Sequence, residues 1–210
     1  MAPEYRFLSH WRVLGTVQEV ADLMADAREL PRWWPSVYLR AEELEAGDDR
    51  GVGKRVRVHT KGWLPYTLDW EFRVTDSRHP DGFSLDASGD LIGRGVWSFE
   101  QAGAWTRITY DWRVRADKML LRILSPLFRP LLEFNHRWAM RQGEESLRLE
   151  LARLRCASPA ERAQIAPPPA PTDSSALLLA ASGVALGAAA LFLTRRFHRP
   201  RCGRNRRRWA

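Results

Sequence analysis

The chain has 210 residues, and its 33 Lys and Arg against 25 Asp and Glu give a formal charge of +8. Eight arginines in the acid-free segment Arg195–Ala210 account for that whole excess, so Met1–Thr194 is neutral and lacks the basic bias of a nucleic-acid-binding domain. Only two cysteines are present, Cys156 and Cys202, which excludes a disulfide framework and a zinc site.

Met1-Ala2-Pro3-Glu4 lacks a basic segment and a following apolar run, so no signal peptide is expected. Tyr5 to Val13 alternates as a strand, with Tyr5, Phe7, Trp11 and Val13 on one face. Thr16 followed three residues later by Glu19 is a capping box, and Val17, Val20, Leu23 and Met24 continue it at helical spacing. Pro31 and Pro35 bracket Trp33 and Trp34, which predicts the end of helical structure and a constrained turn holding two large rings.

From Val37 to Ala116 the pattern is strand after strand. Tyr66, Leu68, Trp70, Phe72 and Val74 alternate with Thr67, Asp69, Glu71 and Arg73. Thr106, Ile108, Tyr110, Trp112 and Val114 repeat the pattern opposite Arg107, Asp111, Arg113 and Arg115. Turns are expected at Asp48–Gly53, Pro80-Asp81-Gly82 and Gly103. Short connections between consecutive strands predict an antiparallel sheet with one buried face.

After Asp117 the period becomes helical, through Leu120, Leu124, Leu127, Leu131, Phe134, Trp138, Leu147, Leu151 and Leu154. Pro126 and Pro130 are expected to break its first part, so the main helix should start near Pro130. Glu144 and Arg148 are spaced for an i,i+4 ion pair. The proline-rich segment 156–173 predicts an extended, disordered linker. The expected fold class is α+β: six or seven antiparallel strands wrapped around a long C-terminal helix, with an apolar space between them, all within residues 1–155.

Ser174–Thr194 contains no charge, and at helical rise it would span roughly 31 Å, about one hydrocarbon core. Its eight large apolar residues contribute about −2.4 to −4.8 kcal/mol to insertion, partly offset by Ser and Gly. A single-pass C-terminal anchor with membrane lipid as a partner is expected. Gly183 and Gly187 form a GxxxG pair that could mediate a homodimer. The absence of a leader places the domain in the cytoplasm, whereas the arginines of 195–210 argue against their own translocation. A translocated tail, a re-entrant segment and an external domain are the three resolutions, and a cytoplasmic domain is the one expected here.

Several local motifs in this order resemble the START-like (SRPBCC) helix-grip superfamily and its polyketide cyclase/dehydrase-type members. They are Trp33-Trp34-Pro35-Ser36, Gly47-Asp48 leading to Gly51-Val52-Gly53, Leu64-Pro65-Tyr66, Ser88-Gly89-Asp90, and Asn135-His136 with Trp138-Ala139-Met140. The resemblance covers about Tyr5 to Arg155 and implies a cavity for a hydrophobic ligand. Fold does not settle function, because the superfamily includes lipid carriers, quinone-binding proteins, hormone receptors and cyclases.

Nine of the ten tryptophans precede residue 156. Most are accounted for as core, but Trp34, Tyr66, Trp70 and Trp97 are expected to line a cavity, with Asn135 at its mouth. His136 reads as a helix residue hydrogen-bonded to a neighbouring carboxylate or carbonyl, or as a general acid or base, for which an unperturbed histidine pKa would be suitable. Asp90 reads as a turn residue or a cavity carboxylate, and Arg94, between Gly93 and Gly95, as a strand charge or an anion-holding guanidinium. No cofactor fingerprint, phosphate-binding loop or metal spacing appears. Three functions fit: a membrane-tethered binder of a lipid, quinone or polyketide-like molecule; a cyclase or dehydratase using His136, Asp90 and Arg94; and a membrane-anchored interaction scaffold.

Overall fold

The computed structural model of the chain describes residues 4–116 and 119–173, with side chains described except at 116–129. The uncharged stretch, its Gly183–Gly187 pair and the arginine tail lie outside the described residues. Among the described residues no helix is long and apolar enough to cross a membrane.

Seven antiparallel strands form one sheet in the order β1-β7-β6-β5-β4-β3-β2. They are β1 (Glu4–Leu14), β2 (Tyr38–Glu45), β3 (Arg55–Lys61), β4 (Thr67–Ser77), β5 (Gly82–Gly89), β6 (Leu91–Ala102) and β7 (Trp105–Ala116). Only the β1–β7 pairing is non-sequential; the other neighbours are joined by turns at the places where turn residues cluster. Period-two patterning explains the burial directly, because alternate side chains on a strand point to opposite faces. Val56, Val58, Trp70, Phe72, Trp97, Phe99, Ile108, Tyr110, Trp112 and Val114 are buried. The outer face carries charge ladders such as Arg57–Glu71 and Arg6–Asp111, both at 2.9 Å.

Helix α1 (Val17–Ala25) opens on the expected capping box: the Thr16 hydroxyl accepts from the Glu19 N–H, and Glu19 accepts from the Thr16 N–H. The Pro31 expectation fails. Pro31 lies in the first turn of a short helix α2 (Leu30–Trp33), where its missing N–H has no intrahelical partner to lose. Trp33 is completely buried, so this short helix drives one indole into the core.

Helix α3 runs from Met119 to Leu154, through both prolines, and so begins well before Pro130. Each proline deletes one backbone donor without ending the run. The two defects lie four residues apart and therefore fall on one face of the helix. Along β1, the Glu144 carboxylate accepts from the Arg12 N–H at 2.8 Å, and Arg148 pairs instead with Glu145 at 2.9 Å. Glu144 thus ties helix to sheet and is not the solvent-side partner its spacing suggested.

The segment 156–173 differs from a free linker. Ser158 and Glu161 cap a short helix α4 (Pro159–Gln164), and the Arg153 guanidinium donates to the Ile165 carbonyl at 3.0 Å. Farther on, the Lys61 ammonium donates to the Thr172 carbonyl, and the Thr172 hydroxyl donates to the Gly62 carbonyl at 3.2 Å. The chain is therefore held against the β3–β4 turn as it reaches Thr172.

Candidate functional site: two cavities and an aromatic wall

Among the described residues, two cavities lie under the sheet. The larger encloses about 780 Å³ between α1, α2, the β2–β3 loop and the inner faces of β4–β7. Its interior is walled by Met24, Leu30, Phe72, Val74, Phe83 and Leu85, while Asp48, Asp49, Arg50, Arg78 and His79 sit at its mouth. The smaller, about 170 Å³, lies toward the β3–β4 turn and α3. It gathers Phe7, Thr60, Lys61, Tyr66, Leu132, Asn135, His136 and Met140. The two mouths lie at opposite ends of β3, whose seven residues put them roughly 20 Å apart.

Five aromatic side chains border both cavities: Trp34, Tyr38, Trp70, Trp97 and Tyr110. They form the wall between them. Trp97 and Tyr110 are cross-strand partners and stack at 3.9 Å with 13° between their planes. Trp34 meets Tyr38 edge-on at 5.2 Å and Trp11 at 5.4 Å. Such pairs stabilise by about 0.5–1.5 kcal/mol beyond the burial of their area, so the wall is a preferred arrangement and not loose filling.

Two glycines make room for it. A Cβ at Gly95 would lie 2.8 Å from the Tyr110 hydroxyl and 3.1 Å from the Trp112 ring, so only glycine lets those rings lie over β6. A Cβ at Gly143 would lie 2.4 Å from Trp34 and 2.7 Å from Trp11. The mid-helix glycine thus brings α3 close to the indoles. The buried N–H groups of Trp11, Trp33 and Trp34 meet no acceptor among the described residues. Trp70 is better served: its N–H donates to the Thr60 hydroxyl at 2.9 Å.

The electrostatics follow burial. Desolvation lowers the His136 pKa to about 4, so its imidazole is neutral at pH 7. It stacks on Phe7 at 4.2 Å, and its Nε2 lies 3.2 Å from the Ser9 hydroxyl. Burial raises the Tyr66 phenol to about 12. It also raises Tyr38 and Tyr110, the latter pushed further by the neighbouring Tyr38. All three remain protonated donors near the cavities.

The structure brings Trp34, Trp70 and Trp97 together in the wall and places Tyr66, Asn135 and His136 around the smaller cavity. Asn135 is tied there by accepting from the Leu64 N–H at 3.0 Å. Asp90 and Arg94 line neither cavity. The Asp90 carboxylate, in the β5–β6 turn, accepts from the Asp69 N–H of β4 at 3.0 Å. Arg94 is exposed on the outer face, between cross-strand neighbours Asp86 and Arg113. Sequence reasoning passed over Tyr38 and Tyr110 in the wall, and His79 at the larger mouth. His79 Nε2 lies 2.9 Å from Asp22 on α1. Tyr110 was visible in the β7 alternation, but the His79–Asp22 pair joins segments 57 residues apart and left no local signal. Among the described residues no group of His, Cys, Asp and Glu could hold a metal ion.

No family model matches the chain, and no curated protein does. Solved structures do. The Zhui aromatase/cyclase from Streptomyces sp. R1128 superposes with a TM-score of 0.58 at 18% identity, over 74% of this chain and 99% of that one. A START superfamily protein from Mycobacterium smegmatis gives 0.58 at 13% identity, over 71% and 98%. A protein from Thermus thermophilus gives 0.54 at 18%, over 69% and 97%. At these identities the likeness is one of fold: the chain shares the helix-grip architecture, an antiparallel sheet with a long helix, of these proteins.

Proposed function

We propose that this chain is a membrane-tethered binding protein that holds a hydrophobic small molecule, a lipid, quinone or polyketide-like compound, under its sheet. One observation carries the reading: a cavity of about 780 Å³ whose interior is apolar and aromatic and whose mouth is polar. That volume suits a drug-sized ligand, and flat rings grip a polycyclic or isoprenoid body. The fold shared with an aromatase/cyclase and a START superfamily protein supports it. The uncharged stretch Ser174–Thr194 supplies the tether.

The test is mass spectrometry of compounds extracted from full-length protein purified out of its membrane. A defined apolar compound should be retained by the wild type and by the outer-face control Arg94→Ala. It should be held several-fold less by the double variant Val74→Trp with Leu85→Trp, which places two indoles in the larger cavity. Undiminished retention by that variant, or an empty wild type, refutes the reading.

A cyclase or dehydratase is the second reading, and the neutral His136 imidazole facing the smaller cavity favours it. Unprotonated at pH 7, it could accept a proton from a ligand group that reaches past the wall. Under that reading His136→Ala abolishes turnover and spares retention. Under the binding reading it changes neither.

A further inference from the structure

The β3–β4 turn and the start of α3's described face form an apolar, aromatic rim beside the smaller cavity. Trp63 meets Phe134 edge-on at 5.2 Å, and Phe134 is 37% exposed, a large ring left partly in solvent. Pro65 at the turn is exposed, and Tyr66 and Leu132 carry the same surface into the cavity. Aromatic side chains with a polar end favour the boundary between water and hydrocarbon. The larger cavity's mouth has the opposite character, with Asp48, Asp49 and Arg50 around it.

The course of the chain selects what meets this rim. Thr172 is held to Lys61 and Gly62 at the base of the same turn. The uncharged stretch begins two residues later, at Ser174. Two residues reach at most about 7 Å. A stretch that enters a bilayer therefore brings the rim to the bilayer surface, whereas a free linker would have left the domain's orientation open.

We infer that the Trp63, Pro65, Tyr66 and Phe134 rim docks on a lipid bilayer, so that the smaller cavity opens toward lipid and the larger mouth toward water. This rests on the membrane tether of the proposed function. An apolar ligand leaving the bilayer then meets the smaller cavity first and must pass the Trp97–Tyr110 wall to reach the larger one.

Full-length protein carrying Cys156→Ser and Cys202→Ser is given one new cysteine at a time, Pro65→Cys, Phe134→Cys or Arg50→Cys. Each is labelled with an environment-sensitive fluorophore and incorporated into phosphatidylcholine vesicles containing doxyl-labelled lipid. Quenching several-fold stronger at positions 65 and 134 than at 50 is the expected result. Inserting a long Gly-Ser segment between Thr172 and Asp173 should weaken it without releasing the protein from the vesicles. Equal quenching at all three positions, or stronger quenching at 50, overturns the docking surface while the tether stands. A protein that fails to sediment with the vesicles overturns both.

Discussion

The cavity at the β2–β3 end of the sheet has volume and apolar walls, whereas the one at the β3–β4 end has little volume and most of the interior polar groups. About 780 Å³ accommodates a ligand body; about 170 Å³ accommodates a small part of one. Thr60, Lys61, Asn135 and His136 all border the smaller space. The apolar volume and the polar side chains thus lie at different ends of one interior, separated by five aromatic side chains. Under the proposed function, a ligand body in the larger space would reach those polar groups only past that wall.

Removing part of the wall should have the largest effect. Trp97→Ala deletes the stack on Tyr110 and the contact with Trp11 at 5.3 Å, and it joins the two cavities. Truncating a buried Trp costs about 3–5 kcal/mol. Urea unfolding should show that loss, and an apolar dye should bind more strongly to the native variant. A loss under about 1 kcal/mol would mean that the rings across the wall close the gap by themselves.

The smaller cavity should declare itself through pH. His136 has a folded pKa of about 4 against about 6.5 in an unfolded chain. Between those values the unfolded state binds the proton and the native state does not, so stability falls as pH drops through that window. The ceiling is about 3 kcal/mol, fully lost by pH 4. Urea midpoints at pH 7 and pH 4.5 measure it, and His136→Gln should lose less stability than the wild type over the same interval. Parallel pH dependences would show that the imidazole is hydrated in the native state, removing the case for a dry catalytic base.

The sheet and the first helix were legible because both rest on local rules. Period-two alternation at Tyr66–Val74 and Thr106–Val114 predicted strands, and Thr16–Glu19 predicted the cap. The same parity decides Arg94: with Gly95, Trp97 and Phe99 facing inward, residue 94 must face out, whatever freedom its flanking glycines give. Proline content misled three times, first at Pro31, which sits in the first turn of α2. At 126 and 130 the helix continues, because a missing donor weakens a long helix without stopping it. In 156–173 the Ser158–Glu161 capping signal was present but overshadowed by the prolines around it. The division of the interior had no local signal, since it depends on Trp34 from α2 meeting Trp97 and Tyr110 from the sheet.

Gly143→Ala gives the smallest of these effects and the finest test of how rigid the wall is. In an exposed helix the change would stabilise by about 1 kcal/mol. Here the new methyl group would lie 2.4 Å from Trp34, with Trp11 at 2.7 Å on the same approach, so indole or helix must move. Overpacking of this kind costs about 1–3 kcal/mol. The net should be a loss of about 1 kcal/mol, with an altered near-ultraviolet circular dichroism signal as Trp34 shifts between the cavities it borders. If Ala instead stabilises the protein and leaves the tryptophan signal unchanged, α3 has room to retreat. The wall would then be a movable partition, and the difference between the two cavities one of occupancy rather than architecture.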